Sequence, residues 1–166
     1  MTELGGWKIG GASVSGFSHI EEDIPCQDAH AYNIREGGWL IAAVADGAGS
    51  ARLSHIGSKA FVDDIVENSQ ALDLTNEFEP LKISEFLIKS VNDTSLRLLE
   101  EQEAKEDSEI CIKSDFAATL VVVFANSEGG AFFHVGDGAG IAIAADKSVN
   151  TIITKPQNGE YANETY

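Results

Sequence analysis

Two Asp-Gly-Ala-Gly segments in this chain each terminate a short apolar run. Trp39-Leu40-Ile41-Ala42-Ala43-Val44-Ala45 stops in Asp46-Gly47-Ala48-Gly49, and Phe132-Phe133-His134-Val135-Gly136 stops in Asp137-Gly138-Ala139-Gly140. An apolar run of strand length ending in a carboxylate and glycines describes a buried strand that delivers the acid to the edge of a sheet. A third acid belongs with them. Asp28 lies in the run Gln27–Ile34, and the turn Glu36-Gly37-Gly38 folds that run back onto Trp39–Asp46. Residues 28 and 46 are about equally far from the turn, so an antiparallel hairpin makes their carboxylates neighbours. Two ionised carboxylates about 4 Å apart repel by roughly 4 kcal/mol at an effective dielectric near 20. A shared proton, a basic partner or a hard cation must offset that, and the first basic residue after Asp46 is Arg52. Carboxylates, glycine carbonyls and water suit Mg²⁺ or Mn²⁺. The Gly47 backbone could approach such an ion closely and offer its carbonyl. Two such ions can deprotonate a water and clamp a phosphoryl oxygen, which is the chemistry of phosphate hydrolysis. Asp-Gly is also an ordinary turn signal, so the pattern alone leaves a structural turn open. A calcium loop of the EF-hand kind is not supported, because Ala48 stands where that loop needs a ligand.

The elements that must position these acids read as follows. Gly5 to Gly16 reads as an extended strand, Phe17 to Cys26 as a loop, and Gln27–Ile34 with Trp39–Asp46 as a hairpin. In the first hairpin strand Asp28, His30 and Tyr32 share one face, and Ala29, Ala31 and Asn33 the other. After Gly49 the period changes from 2 to 3.6. Ser50 or Ser54 can cap a helix with Ile56, Ala60, Phe61 and Ile65 as its apolar stripe, fraying near Gln70. Leu72–Lys82 is a connection, and a second helix runs from about Ser84 with Leu87, Val91 and Leu98 on one face. Both helices have polar backs, so both should lie on a sheet. Phe116–Ala125, Ala131–Gly136, Ile141–Ala145 and Val149–Thr154 then follow as antiparallel strands at hairpin spacing, and Lys155–Tyr166 reads as a loop. This order has no βαβ rhythm. It predicts an α+β fold, an antiparallel β-sandwich flanked by helices, with residues 1–166 as a single domain.

Composition narrows the function. The 166 residues carry 27 acids against 11 lysines and arginines, a formal charge of −16. Such a chain is repelled by nucleic-acid phosphates and anionic lipid, which makes both poor partners. Part of the excess is the run Glu100–Glu109, read as a solvated helix end. No apolar run approaches the roughly 20 residues of a membrane span, and the N-terminus lacks the regions of a signal peptide. A cytoplasmic protein is expected, with Cys26 and Cys111 as free thiols.

Four segments together carry a resemblance. Cys26-Gln27-Asp28-Ala29-His30, Ala45-Asp46-Gly47-Ala48-Gly49, Ala117-Ala118-Thr119-Leu120 and Val135-Gly136-Asp137-Gly138 occur in the order and spacing of the type 2C metal-dependent serine/threonine protein phosphatases, and most resemble the bacterial branch. The resemblance implies a four-layer α-β-β-α sandwich and a binuclear Mg²⁺/Mn²⁺ centre whose bridging water attacks a phosphoserine or phosphothreonine. By it, Asp46 matches the metal-bridging aspartate, Gly47 the glycine whose carbonyl coordinates, Asp28 the acid ending the first motif, and Asp137 an aspartate of a third, weaker metal. The implied partners are a phosphorylated protein substrate and a cognate Ser/Thr kinase. The chain also departs from the pattern. Gln27 replaces a frequent glutamate. Ala48 replaces the histidine proposed as general acid in eukaryotic members, leaving that task to water or to His30, His19 or His55. The first-motif arginine that holds phosphate is absent, with Arg52 as nearest candidate. The family's remaining metal-binding aspartates fall on strands that would follow Tyr166. These residues are therefore expected to be the N-terminal two thirds of the domain, with little phosphatase activity alone. Two rivals stand beside this reading: a non-catalytic phosphatase-like binding module, and a plain acidic metal-binding protein.

Overall fold

The computed structural model describes residues 2–4, 6–74, 79–105, 110–143 and 151–155. Its centre is a four-stranded antiparallel sheet in the order β3 (Asp28–Arg35), β4 (Trp39–Asp46), β5 (Leu120–Ala125), β6 (Gly130–Val135). Before it come β1 (Thr2–Leu4), β2 (Trp7–Ile9) and a five-residue helix α1 (Phe17–Glu21); between β4 and β5 lie helices α2 (Ser54–Asn68) and α3 (Pro80–Glu103). β1 pairs with β2, and β7 (Ile141–Ile143) with β8 (Thr151–Ile153), as separate two-stranded antiparallel sheets. The fold is α+β and antiparallel throughout, as the element order implies.

β4 explains the layering. Trp39, Ile41, Ala43 and Ala45 are buried, Ile41 completely, while Leu40, Ala42, Val44 and Asp46 turn to the other face. Partners directly opposite share a face, so Ala29 joins the buried side from β3, and Val122 and Phe124 join it from β5. Phe61, Val62, Ile65 and Val66 are buried on α2, as are Ile83 and Leu87 on α3; Val62 and Ile65 pack with Ile83 and Leu87 against this sheet face. Burying each large side chain contributes about 1.5–3 kcal/mol. Phe124 meets Phe133 edge to face at 6.3 Å between ring centroids. A second cluster joins Leu98 of α3 to Cys111 and Phe116, with Leu53, Ile56 and Ala60 packed against it.

Polar ties fix the helices on the sheet. Arg35 donates to the carbonyls of Ser69 (2.7 Å) and Gln70 (3.3 Å), satisfying orphan acceptors after the end of α2. Asp64 of α2 accepts from Thr94 Oγ1 (2.7 Å) and Arg97 (2.8 Å) of α3. Trp7 Nε1 donates to Gly38 O at 2.8 Å, tying β2 to the β3–β4 turn. Gly37 and Gly38 have φ of 79° and 72°, a conformation that the turn demands and that suits glycine.

Several boundaries differ from the sequence reading. Of the strand expected over Gly5–Gly16 only β2 forms, paired with β1 that precedes it, and no strand continues to Gly16; Val14 is 75% exposed. Part of the loop expected at Phe17–Cys26 is α1. α3 starts at Pro80, not Ser84, because a proline at the first helical position lacks only an N–H that is unpaired there anyway. The strand expected from Phe116 begins at Leu120, since Lys113–Phe116 forms a 3-10 turn that buries Phe116 fully under α2. Residues 106–109 of the acidic run, 144–150 and 156–166 lie outside the described residues. No described helix is long and apolar enough to cross a membrane.

Gly57 is the contact point between α2 and that turn. A Cβ there would stand 2.1 Å from the carbonyl oxygen of Phe116, which is backbone and cannot step aside cheaply. Helix propensity alone favours alanine over glycine by about 1 kcal/mol. Overpacking of up to about 3 kcal/mol outweighs it, so Gly57→Ala should destabilise the protein by about 2 kcal/mol in urea denaturation; a gain in stability would refute this packing.

Candidate active site

β3 and β4 pair in perfect register from Arg35↔Trp39 at the turn to Asp28↔Asp46 at the far end. The two carboxylates therefore face one another across the hairpin mouth, on the sheet face turned away from the helices. The backbone of Asp46 is pinned by Thr119, whose N–H donates to Asp46 O at 2.8 Å and whose Oγ1 accepts from Asp46 N at 3.1 Å. The chain then passes through Gly47, which is buried and bridged to Ala118. Gly47 N donates to Gln27 O at 3.0 Å, and Ser58 Oγ donates to the same carbonyl at 2.6 Å. A Cβ on Gly47 would fall 2.8 Å from Ser54 Cβ and 3.0 Å from Gln27 O, so only glycine fits. Asp28 and Asp46 are thus held from behind by the start of α2 and from the side by the approach to β5.

A hollow of about 270 Å³ opens over the pair, lined among others by Ser13, Asp28, His30, Asp46, Thr119 and Gly138. No lysine or arginine is among the described residues that line it. The Asp46 carboxyl is held above the ordinary carboxylate range, first by desolvation at the strand end, then by the charge of Asp28 and a hydrogen bond with it, and finally by the charge of Asp137. Asp137 is exposed on the turn after β6, and a Cβ on the next residue, Gly138, would meet Val121 at 2.7 Å. That contact folds the turn over β5 towards the pair.

Of the residues singled out in the sequence, Asp28, Asp46, Gly47 and His30 come together, and Asp137 acts on Asp46 through its charge. Arg52 is not brought to the hollow. Its guanidinium donates to Asp115 Oδ1 (3.3 Å) and Oδ2 (3.2 Å) and to Ile110 O (3.3 Å), and this pair, with the Ile112 N–H, holds the Asp115 carboxyl at about 2. Sequence reasoning missed Ser13, which reaches His30 from an irregular segment, and the pinning role of Thr119. The Ala-Ala-Thr-Leu segment was the available signal for Thr119; Ser13 had none.

The donor set fits a hard cation: paired carboxylates with no lysine or arginine among the described residues around them, beside a glycine that leaves the backbone accessible. Among the described residues no three His, Cys, Asp or Glu side chains gather closely enough to hold an ion by themselves. The pair could supply only part of a coordination shell, which suits an ion such as Mg²⁺ that retains several waters.

Asp46 also predicts a pH effect. A carboxyl whose folded pKa lies above its unfolded value weakens the fold when ionised; the penalty is fully present above the raised pKa and gone below about 3.9. Metal-free Asp46→Asn should therefore be more stable than the wild type at pH 7, and the difference should shrink towards pH 4. Urea midpoints at the two pH values check this, and a difference independent of pH would refute the repulsion.

Comparison with known proteins agrees with the geometry. The family model described as "Protein phosphatase 2C" matches residues 15–166. Serine/threonine-protein phosphatase 3 of Escherichia coli (strain K12) is 32% identical over 168 residues, an alignment that covers 96% of this chain and 62% of that protein. The chain thus spans less than two thirds of the length of this relative.

Proposed function

This chain belongs to the protein phosphatase 2C family, and from that premise we propose that the Asp28–Asp46 hollow is a Mg²⁺/Mn²⁺ site serving hydrolysis of phosphoserine and phosphothreonine in proteins. The observation that carries the reading is the direct opposition of Asp28 and Asp46 with no lysine or arginine among the described residues that line the hollow. The name of the Escherichia coli relative supports the substrate class.

In this reading Asp28 and Asp46 hold two ions, with the Gly47 carbonyl as a further ligand and Asp137 serving a third, weaker position. Bound there, divalent ions supply the charge that activates a water and draws in a phosphoryl oxygen. The chain's own residues do the rest. Thr119 fixes the Asp46 backbone so that its carboxylate has one place to be, and Gly47 keeps the strand end close to Gln27 and Ser54. His30, the histidine that lines the hollow, is the candidate to protonate or hydrogen-bond the leaving oxygen. Arg52 could hold phosphate only by releasing Asp115, so its role is better assigned to bracing the segment after α3. A soluble cytoplasmic enzyme opposing a Ser/Thr kinase completes the proposal.

A second reading has one observation in its favour. Because no complete metal cluster forms among the described residues, a phosphatase-like binding module without catalysis is the alternative. Calorimetry with Mn²⁺ on the wild type and Asp46→Asn separates them. The phosphatase site predicts binding that the substitution weakens by about 100-fold or more. At 100 times Kd the ion should add about 2.7 kcal/mol of stability, raising Tm by roughly 5–10 °C, with no rise in the variant. Absence of binding would favour the module, and equal weak binding in both proteins would mean generic acidity. Mn²⁺-dependent release of phosphate from a phosphothreonine peptide, lost in Asp46→Asn, is the corresponding activity test.

A further inference from the structure

The segment between β2 and α1 forms no regular element, yet it closes on the hollow. Ser13 Oγ lies 2.9 Å from His30 Nδ1. Gly11 stands so close to the imidazole that a Cβ there would fall 2.4 Å from Cδ2 and 2.6 Å from Nε2. His30 is half-buried, on the Asp28 face of β3, opposite Val44 and diagonal to Asp46. One ring nitrogen is engaged by a hydroxyl, and the Cδ2–Nε2 part of the ring packs against a glycine that tolerates no side chain. This leaves the imidazole little freedom beside the carboxylate pair.

We propose that Ser13 and Gly11 are positioning residues that hold His30 as its Nε2–H tautomer, so that His30 donates a hydrogen bond to a phosphoryl oxygen in the hollow. The proposal rests on the reading of the hollow as a metal-assisted phosphatase site. Its chemistry follows from what lines the cavity. Asp28 and Asp46 are acceptors, and no lysine or arginine is among the described lining residues, so an incoming phosphoryl group finds its side-chain donors there in His30 and Thr119. The hydrogen bond at one imidazole nitrogen sets the proton on the other. A hydroxyl donating to Nδ1 leaves Nε2 protonated. The negative field of the paired carboxylates favours a ring N–H over a lone pair on that face. Ser13 spends its proton on His30 and passes the donor role to the ring.

The test is nitrogen-detected NMR of the histidine rings in the Mg²⁺-loaded chain, with His30 assigned by its loss in His30→Gln, together with titration by inorganic phosphate. The wild type should show the Nε2–H tautomer. Ser13→Ala should lose that preference and weaken phosphate binding about threefold to tenfold, the worth of one hydrogen bond, whereas Ser13→Thr should keep both. Gly11→Ala, whose Cβ displaces the ring from its present seat, should match Ser13→Ala and carries the test alone if that variant fails to fold. An Nδ1–H tautomer in the wild type, or unchanged phosphate affinity in Ser13→Ala, overturns the proposal. Failure of the wild type to bind Mg²⁺ or Mn²⁺ in calorimetry is a different result. It sinks the phosphatase reading and the phosphate half of this proposal, while the ring tautomer, read on the metal-free chain, still decides whether Ser13 positions His30.

Discussion

The placement of two like charges directly across a hairpin is the constraint on which the site depends, and it is imposed from the other face of the sheet. Asp28 and Asp46 are opposite because β3 and β4 are locked in register by what they bury. A slip of one residue would turn Trp39, Ile41, Ala43 and Ala45 out of the core and bring Leu40, Ala42, Val44 and Asp46 into it. Keeping Ile41 and Trp39 buried is worth about 1.5–3 kcal/mol each. Two solvent-facing carboxylates at about 4 Å repel by only about 1 kcal/mol in water and roughly 4 kcal/mol where the dielectric falls to about 20. Hydrophobic burial along the whole strand wins, and the repulsion is left concentrated at one end.

What surrounds that end is correspondingly small and tightly held. Gly47 touches Ser54 and the Gln27 carbonyl where no Cβ could fit, and Ser58 adds a second donor to the same carbonyl. Thr119 ties the end of β4 to the approach of β5 through both backbone groups of Asp46. The first turn of α2 therefore serves two purposes, backing the carboxylate-bearing strand end on one side and, through Gly57 and Phe116, closing the second apolar cluster on the other. A carboxylate pair that repels stays in place because its backbone has no room to retreat.

The hairpin and its carboxylate pair were legible in the sequence because both strands are long and meet at a turn of two glycines. Counting outward from Gly37 places residue 28 against residue 46 without any tertiary information. The helices were legible as stripes, although α3 begins a turn earlier, at a proline whose helix-starting geometry the stripe alone did not reveal. Phe116 misled because its β-branched and aromatic neighbours read as strand, while tertiary burial under α2 bends the chain into a 3-10 turn first. Arg52 was picked by proximity in sequence, but Asp115, 63 residues further on, engages it. Ser13 and Gly11 were invisible, since an irregular segment carries no period and its contact with His30 is purely tertiary.

The acidity of the chain bears on substrate choice less than the total charge suggests. At physiological ionic strength the Debye length is about 8 Å, so most of the −16 is screened from a ligand in the hollow, and the groups within that distance decide. Among the described residues that line the cavity those are Asp28 and Asp46, with Asp137 near enough to act on Asp46 and no lysine or arginine beside them. A phosphoryl group brought there meets local negative charge that distance does not dilute. Only a cation held between the carboxylates and the incoming oxygen reverses the sign of that encounter, and neutral donors such as an imidazole N–H can then orient the group without adding charge. In the proposed role, the same carboxylates that make the bare site repel an anion would give it the means to hold one.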